Sequence, residues 1–525
     1  MRKRAVILMR TTCNVIAFAM ATIVANALLT STIVAQERTP GFNNKIPESI
    51  LTPDEMMTRV GPLKFFDGIP SKETAALLFD NLDLNRGVET FLNGMPAANF
   101  EAARRGHVAL GQKRSNQIVI FDELMDSNSL FLTGNTDTVY ITTFLDLKRD
   151  GPTVIEIPSG SGPGIIVDAY TRYIVNLGPP GPDRGKGGKY LVLPPGYDEK
   201  DIEGKVAQGF YVAKSPSWSN WVLLRGFLKD GKPEFSSQLF RKGMKIYPLA
   251  RASNPPKMEF INGSGKNFNT VHSSNYKFFE ELKAVVDREP IEWLEPHVRG
   301  IFASIGIQKG KPFAPDARME RILTQAANLG NATVRALFWY ERDKSAFLYE
   351  GSHWKRGFVG GSHEYLKDEG TAGRNIDARG QYFYMATFNS PAMVWKLIGK
   401  GSQYAWGYLD KTGDYLDGSK NYRLNLPKDP PAQKFMSVVV YDTQTRSQLQ
   451  TSQPFPSKNN KRNKMIVNDD GSIDIHFGPN APAGKESNWI QTVSSKGWFC
   501  LLRLYSPTEA WYDKTWRPGE IELVN

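Results

Sequence analysis

The spacing of apolar residues divides the chain into helical and strand-rich stretches. Apolar positions recur at helical spacing from Ser71 to Leu92, and helical character continues from Glu101 to Leu110. Thr52-Pro53-Asp54-Glu55 has the form of a capping box with proline at the first helical position, which indicates a helix start there. We therefore predict a helical N-terminal region over residues 36–115.

The pattern changes near Asn116, where short runs rich in Val, Ile, Tyr and Phe alternate with turn residues. These runs are residues 118–121, 138–144, 153–157, 164–168, 173–177, 190–193, 210–213 and 221–228. Many short strands with Gly- and Pro-containing turns, and no helices between them, favour antiparallel sheets. We predict a first β-sandwich domain over residues 116–260.

Helical character returns in the middle of the chain, where Phe278–Val286 is amphipathic and Asp316–Trp339 predicts a long helix. Residues 261–380 are therefore assigned to a helical linker region. A second set of strands is predicted at residues 382–388, 418–426, 435–441, 472–477, 489–493 and 497–505. The predicted fold class is α+β, with a second β-sandwich domain over 381–525.

The N-terminal pattern is that of an export signal. Four basic residues lie between residues 2 and 10, and the apolar run Val15–Val34 follows them, with small residues at two cleavage points. We predict a signal peptide over residues 1–35 and a periplasmic or secreted protein without a stable membrane anchor after cleavage. A retained transmembrane anchor is the alternative, because the apolar run is nearly long enough to span a bilayer.

Charge and cysteine content exclude two classes of protein. The formal charge of +11 falls to +7 without residues 1–35, which hold four basic and no acidic residues. The charge forms no basic stripe interleaved with aromatics, so we expect no nucleic-acid partner. With Cys13 in the signal segment, Cys500 stands alone, which excludes an intrachain disulfide; its apolar neighbours predict a buried structural thiol.

The glycine-rich stretch Gly178–Tyr190, GPPGPDRGKGGKY, lacks the spacing and the Ser or Thr of a phosphate-binding loop. A strand rather than a helix follows it, so we predict an inter-strand loop with glycines at positive φ. The six histidines show no metal-ligand spacing. We therefore predict no metal and no cofactor.

Candidate chemistry centres on the segment Thr133–Tyr140, where Asn135, Asp137 and Tyr140 precede or begin a strand. A rigid sheet can present such side chains to a ligand, whereas the alternative is an Asx turn that uses them locally. If several acid–base groups converge in a cleft between the two domains, they would support hydrolysis. The catalytic candidates are Asp137, Tyr140, Asp146, Asp168 and His363.

Longer motifs carry a family resemblance. GNTDTVYITTFLDL, GPTVIEIPSG and DAYTRYIVNLGPPGPDRGKGGKYLVLPPGY resemble the domain of unknown function 1254. YDTQTRSQLQTSQPFPSKN, NDDGSIDIHFGPNAP and NWIQTVSSKGWFCLLRLYSP resemble its usual companion, the domain of unknown function 1214, and the connector IGIQKGKPFAPD is typical of such proteins. The resemblance implies exported bacterial proteins with jelly-roll-like sandwiches, is compatible with a homo-oligomer, and implies no established reaction.

The resemblance also marks signature positions. These are Asn135, Asp137, Thr138 and Tyr140 in the first domain, and Asp470, Gly471, Asn488, Trp489, Arg503 and Tyr505 in the second. Arg172 faces Asp168 in a local ion pair or contacts a polar ligand, and the aromatic segment around Trp406 can stack on a ring or serve the core. The ligand-binding candidates are Asn135, Thr138, Arg172, Trp406, Asn488, Trp489 and Arg503.

Two functions follow from these candidates. The first is an exported protein that binds a small molecule or polymer through sandwich surfaces or an interdomain cleft. The alternative is a periplasmic hydrolase with carboxylate and histidine acid–base groups in that cleft. An enzyme requires several of these groups to converge in one concave site, whereas a binding protein allows them to be dispersed.

Overall fold

The computed structural model describes residues 46–197, 199–206 and 208–524, and it has a mixed α+β architecture. The predicted signal peptide lies outside the described residues. No helix among the described residues is both long and apolar enough to cross a membrane. The described residues up to 85 form one compact unit, and those from 86 onward form a second.

The bounds of the regular elements are as follows. The strands are β1 (Glu55–Thr58), β2 (Gly61–Phe66), β3 (Ile69–Pro70), β4 (Gln117–Ile120), β5 (Ser129–Leu130), β6 (Val139–Asp146), β7 (Thr153–Ile157), β8 (Gly164–Asp168), β9 (Tyr173–Leu177), β10 (Gly188–Leu193), β11 (Tyr211–Lys214), β12 (Ser219–Gly226), β13 (Lys245–Pro248), β14 (Glu259–Asn262), β15 (Phe268–Asn269), β16 (Lys355–Arg356), β17 (Ser402–Gly407), β18 (Asn421–Leu426), β19 (Ala432–Asp442), β20 (Ser457–Asn459), β21 (Ile473–Gly478), β22 (Trp489–Gln491), β23 (Trp498–Pro507) and β24 (Ile521–Val524). The α-helices are α1 (Lys72–Ala109), α2 (Leu147–Asp150), α3 (Glu199–Val206), α4 (Glu234–Gly243), α5 (Lys277–Arg288), α6 (Pro296–Ala303), α7 (Ala317–Trp339), α8 (Ile376–Met385) and α9 (Glu509–Tyr512).

The N-terminal unit begins with strands and not with the predicted helix. β1, β2 and β3 form an antiparallel sheet in that order. The prediction of a helix start at Thr52 is wrong because cross-strand pairing, with Glu55 opposite Lys64, outweighs a local capping pattern. The helix begins after Ser71, whose hydroxyl accepts a hydrogen bond from the amide of Thr74 at 3.1 Å and so caps α1.

The first β region, strands β4 to β14, contains two larger sheets. One has the order β14-β4-β6-β12-β8-β9 and the other β11-β10-β7-β13, and most pairs are antiparallel. Alternate residues of β6 and β12, among them Val139, Ile141, Val222 and Leu224, enter a core to which the second sheet also contributes Ile155 and Val192. The intervening residues of β6 and β12 therefore point away from this core.

The second β region, strands β16 to β24, repeats this arrangement. Its sheets have the orders β16-β17-β23-β19-β20 and β22-β21-β18-β24. Alternate residues of β23, namely Trp498, Cys500, Leu502 and Leu504, share a core with residues of β18 and β21. All ten residues of β23 are buried, so its other face must also be covered.

The long predicted helices are confirmed at α5 and α7, but residues 382–388 were predicted as a strand and that prediction is wrong. Helix α8 covers most of them. Its N-cap, Asn375, accepts a hydrogen bond from the amide of Ala378, which fixes the helix start. Because nearly all of α8 is buried, its sequence has no polar face from which helical period can be read. The predicted boundaries at 260/261 and 380/381 fall inside β14 and α8.

Candidate functional site

A cavity lies between the first and second β regions, and we call it the central cavity. Its empty volume is about 510 Å³, which includes space open to solvent. It is lined by β12 residues Leu223 and Arg225 and by β23 residues Leu501 and Arg503. These are the alternate residues that point away from the two cores, so strand periodicity alone directs them into the space between the sheets.

Each of the two facing sheets contributes one Arg–Tyr pair. Arg225 stands opposite Tyr140 in the register of β12 and β6, and its guanidinium carbon lies 5.4 Å from the centre of the tyrosine ring. Arg503 stands opposite Tyr404 in the register of β23 and β17, at a corresponding distance of 5.5 Å. Side chains that stand opposite each other on neighbouring strands are close enough to interact. In both of these pairs the guanidinium lies over the tyrosine ring, which is a cation–π interaction.

Arg503 also ties the second β region to the first. It is 3% exposed, and its Nη2 donates to the carbonyl oxygen of Thr133 and, at 2.7 Å, to the hydroxyl of Tyr441. That hydroxyl donates in turn to the carbonyl oxygen of Gly134 at 2.8 Å. The Nε of Arg503 is buried without a hydrogen-bond partner among the described residues. The guanidinium is thus held in place and keeps donor capacity.

Neither cavity arginine has a carboxylate within ion-pair distance among the described residues. Burial acts to lower the pKa of both guanidinium groups, but surrounding tyrosine hydroxyls outweigh it and raise the pKa of Arg225 and of Arg503 above the ordinary arginine value. Both side chains therefore carry positive charge, and the charges face a shared space without an acidic counterpart.

Tyr404 and Tyr382 line the same cavity, but their pKa values are shifted in opposite directions. Burial acts to raise the pKa of the Tyr404 hydroxyl, but the guanidinium charges of Arg225 and Arg503 outweigh burial and lower the pKa below the ordinary tyrosine value. By contrast, burial raises the pKa of Tyr382, on α8, well above that value. The Tyr404 hydroxyl oxygen is buried without a well-formed hydrogen bond among the described residues.

The rest of the central cavity is largely apolar. Trp406, next but one to Tyr404 on β17, lines it with an indole Nε1 that is buried and has no partner among the described residues. Tyr382 donates its hydroxyl to the carbonyl oxygen of Phe388 and closes one wall. The apolar lining includes Phe131, Leu132, Leu223, Phe358, Phe388 and Leu501.

Three of the residues predicted from the sequence line the central cavity: Tyr140, Trp406 and Arg503. Asn135 lies behind Tyr140 and donates to its hydroxyl at 2.7 Å. The side-chain oxygen of Asn135 accepts from the amides of Asp137 and Thr138 at 2.9 and 3.1 Å, and from the Thr138 hydroxyl. This is the Asx-turn alternative, and it positions the tyrosine from behind.

Asp137 is fully buried but does not line the cavity. One carboxylate oxygen accepts from the Ser457 hydroxyl at 3.2 Å and lies 3.9 Å from the Arg462 guanidinium. The other oxygen has no partner among the described residues. Its contacts therefore join the first β region to β20 of the second.

The remaining catalytic candidates are dispersed. Asp146 caps α2 by accepting from the amide of Arg149, and its side chain is about half exposed. Asp168 is fully buried, pairs with Arg172 at 2.6 Å and accepts from two backbone amides. His363 contacts Tyr173 and Trp395 edge-on, and burial lowers its pKa. None of these side chains lines the central cavity.

Two C-terminal signature residues have structural contacts. The side-chain oxygen of Asn488 accepts a hydrogen bond from the amide of Ile466. Its side-chain nitrogen donates to the carbonyl oxygens of Ile466 and Asp474. Trp489 donates its indole N–H to the carbonyl oxygen of Gly478 at 2.9 Å. Both residues therefore fasten the loops around β21 and β22 and lie outside the central cavity lining.

Two further sequence predictions are confirmed. Cys500 is buried, and burial raises the pKa of its thiol. The glycine-rich stretch connects β9 to β10, with Gly187 at φ 75° where a Cβ would meet the carbonyl oxygen of Ile157 at 2.6 Å. Asp183 organises this loop by accepting from the amides of Gly185 and Gly187.

The sequence analysis missed Arg225, Tyr382 and Tyr404 as site residues. A signal for Arg225 exists: Trp221-Val-Leu-Leu-Arg225 and Phe499-Cys-Leu-Leu-Arg503 both place an arginine at the end of an apolar run. A charged residue within a buried strand demands a specific environment. Tyr382 carries no such signal, because the pattern of its segment predicts a strand where the structure has α8. Among the described residues, no group of three metal-ligating side chains is suitably arranged for a metal ion.

Comparison with known proteins agrees with the motifs. Residues 115–248 match the family model of a protein of unknown function, DUF1254, and residues 401–509 match that of a second, DUF1214. A search of curated proteins found no match.

Two solved structures are similar to the chain. The VPA0106 protein from Vibrio parahaemolyticus is 15% identical over 84% of this chain and 100% of its own, with a TM-score of 0.52, and so shares the fold. An uncharacterised protein from Burkholderia cenocepacia is 11% identical over 85% of this chain and 96% of its own, with a TM-score of 0.38. The chain thus carries a DUF1254 region followed by a DUF1214 region in one polypeptide, and the central cavity lies between them.

Proposed function

We propose that the protein binds a small organic molecule in the central cavity. The observation that carries the proposal is that the outward faces of β12 and β23, from different β regions, line one space together with α8. Sites for small molecules are typically concave, mostly apolar and supplied with a few polar groups. The central cavity has this composition.

Its size and its polar groups support the same function. The empty space of about 510 Å³ includes space open to solvent, so it sets an upper limit on the size of the ligand and favours a small molecule over a polymer. The Trp406 N–H and the Tyr404 hydroxyl are buried without well-formed hydrogen bonds among the described residues. Because such groups are costly to leave unpaired, a ligand that satisfies them gains affinity and a defined orientation.

The hydrolase alternative lacks a comparable observation. Among the described residues, the lining of the central cavity contains no carboxylate and no imidazole. Asp146, Asp168 and His363 have contacts in separate places. General acid–base hydrolysis needs such groups within reach of one substrate atom, so binding is the function we propose.

The proposal extends to architecture and location. Each β region would be a jelly-roll-like sandwich, which the core shared by its two sheets supports. The protein would be exported to the periplasm or secreted, after cleavage near residue 35, and a homo-oligomer is compatible with this. Expression of the full chain in a bacterial host and N-terminal sequencing of the periplasmic product test the cleavage: retention of residues 1–35 contradicts it.

A neutral fluorescent probe tests the binding function. N-phenyl-1-naphthylamine is apolar and uncharged. We expect it to bind the full chain with saturable fluorescence enhancement and with energy transfer from Trp406. Trp406→Phe should reduce the energy transfer, whereas Trp489→Phe, whose indole lies outside the cavity lining, should leave most of it. Absence of saturable binding, or equal transfer in both variants, contradicts the proposal.

A further inference from the structure

We propose that the ligand of the central cavity is an organic monocarboxylate, whose carboxylate group lies between Arg225 and Arg503 and whose apolar body lies against the phenylalanine and leucine lining. This inference rests on the proposed function and names the class of ligand. Its basis is the charge of the cavity, which the binding function by itself does not require.

The central cavity holds two positive charges that lack a negative partner among the described residues. Arg225 from β12 and Arg503 from β23 face the same space, and neither has a carboxylate within ion-pair distance among the described residues. Isolated charges are costly to remove from water, and guanidinium groups bind carboxylates through paired, charge-assisted hydrogen bonds. A bound carboxylate supplies the missing negative group.

Both arginines have donor groups that a ligand can use. The Nε of Arg503 is buried and unpartnered among the described residues, while its Nη2 is already engaged by Thr133 and Tyr441. The Arg225 guanidinium lies over the ring of Tyr140 and interacts with the Tyr404 hydroxyl, and it forms no salt bridge among the described residues. Both guanidinium groups can therefore donate to a ligand without first breaking a salt bridge.

The lining of the central cavity favours a ligand with a single charge. Tyr404 lines the same cavity, and the charges of both guanidinium groups act on its hydroxyl and lower its pKa. A single carboxylate has two oxygens and can accept hydrogen bonds from both guanidinium groups. The remaining lining, including Phe131, Leu223 and Leu501, favours an apolar body over a second ionised group.

A pair of probes that differ only in charge tests the ligand class. 4-Phenylbutyrate and its neutral amide, 4-phenylbutyramide, have the same apolar body and nearly the same shape. By calorimetric titration of the full chain, we expect the carboxylate to bind at least about tenfold more tightly than the amide. It should also displace N-phenyl-1-naphthylamine, which locates it in the same cavity. Inorganic phosphate should not displace the dye.

A matched pair of variants separates this site from general charge. Arg225→Met should remove the preference for the carboxylate. Arg335→Met is the control: its guanidinium lies 5.4 Å from the ring of Tyr384, the same distance as Arg225 from Tyr140, but it does not line the central cavity. The control should keep the preference. Circular dichroism establishes whether both variants fold. If Arg225→Met does not fold, the comparison of carboxylate and amide in the unsubstituted protein still tests the ligand class.

The outcomes distinguish the two proposals. Equal affinity for carboxylate and amide, with dye binding intact, overturns the monocarboxylate class and leaves the binding function standing. Displacement of the dye by phosphate alone overturns the role of the apolar body. Absence of dye binding and of both phenylbutyl probes overturns the binding function together with the inference.

Discussion

Tyr404 shows how two neighbours decide the chemistry of one side chain. Its β-strand position directs it into the central cavity, where burial alone would keep the hydroxyl neutral. The positive charges of Arg225 and Arg503 reverse that effect and lower its pKa. Tyr382, across the same space, keeps a raised pKa because burial prevails there.

The lowered pKa of Tyr404 is directly measurable. In a near-ultraviolet absorbance titration of the full chain, we expect one tyrosine to ionise below the pH range of ordinary tyrosines, and Tyr404→Phe should remove that ionisation. Tyr382→Phe is the control, because its hydroxyl has a raised pKa and stays neutral in this range. If Tyr404→Phe leaves the early ionisation unchanged, the lowered pKa belongs to another group.

Ionisation of Tyr404 should also control anion binding. Its phenolate repels a bound carboxylate, so the affinity for 4-phenylbutyrate should fall as pH rises through the Tyr404 pKa, by up to about tenfold per pH unit. In Tyr404→Phe the affinity should stay constant over the same range. Calorimetric titrations at several pH values measure both; an unchanged slope in the variant would falsify the linkage.

At the scale of elements, helix α8 connects packing to the site. It is almost entirely buried, begins at the Asn375 cap and carries Tyr382 into the cavity wall. α7, which packs against α8, begins in the same way at Asp316, whose side chain accepts from the amide of Met319. The two caps make the same kind of hydrogen bond, but only α8 contributes a residue to the lining of the central cavity.

Removing either cap should cost stability, but one alone should affect binding. Asn375→Ala and Asp316→Ala should each lower the free energy of unfolding by about 1 kcal/mol, measured by urea denaturation. Because α8 carries Tyr382, we expect only Asn375→Ala to weaken binding of N-phenyl-1-naphthylamine. Equal binding in the two variants would show that the start of α8 does not position the cavity wall.

A buried ion pair fastens the end of α7 to β16. Lys355 and Glu341 are each 2% exposed in their side chains, and the ammonium nitrogen lies 2.6 Å from the carboxylate. Lys355 also donates to Gln381 of α8 at 2.7 Å. The pair therefore holds three elements together in a place where an unpaired charge would be expensive.

Lys355→Met should lower the free energy of unfolding by about 3–5 kcal/mol, because it leaves the Glu341 carboxylate buried and unpaired. The double variant Lys355→Met/Glu341→Leu should recover most of that loss. Urea denaturation of the two variants and the unsubstituted protein measures the difference. A double variant as unstable as the single one would mean that the loss arises from packing and not from the unpaired charge.

The elements also show what the sequence could reveal. The strands β7 and β9 are predicted closely because turn residues such as Gly151, Pro158 and Gly178 flank them. The helix α7 is predicted closely because its buried residues recur at helical spacing. Helix α8 was missed because burial on all sides removes the periodic signal. Arg503 was identified through a family motif, whereas Arg225, its counterpart on the other sheet, was overlooked.

At the scale of the whole molecule, two buried histidines tie stability to pH. Burial lowers the pKa of His107 and of His272 to about 4, and Arg446 adds to the effect at His272. In the unfolded chain histidine titrates near pH 6.5. Between these values the unfolded chain binds protons that the folded chain does not, so stability falls as pH drops from about 6.5 towards 4.

Each of these histidines should contribute a loss of up to about 3 kcal/mol across that pH window. We expect His272→Gln to reduce the pH dependence of the free energy of unfolding, measured by urea denaturation between neutral and mildly acidic pH. The control His297→Gln, at an exposed position, should keep it. A slope that persists in His272→Gln assigns the acid sensitivity to other groups.

The sequence by itself determined the order of helical and strand-rich segments, the mixed α+β class, the buried single cysteine and the two family regions, because each depends on local periodicity, turn residues or long motifs. Only the tertiary structure decided which alternate strand residues meet. Arg225 and Arg503 are 278 positions apart in the numbering, yet they face one cavity, because two sheets each bury one face in their own core and turn the other towards their partner. Local patterns specify which face a residue takes, and packing between the sheets specifies what it faces.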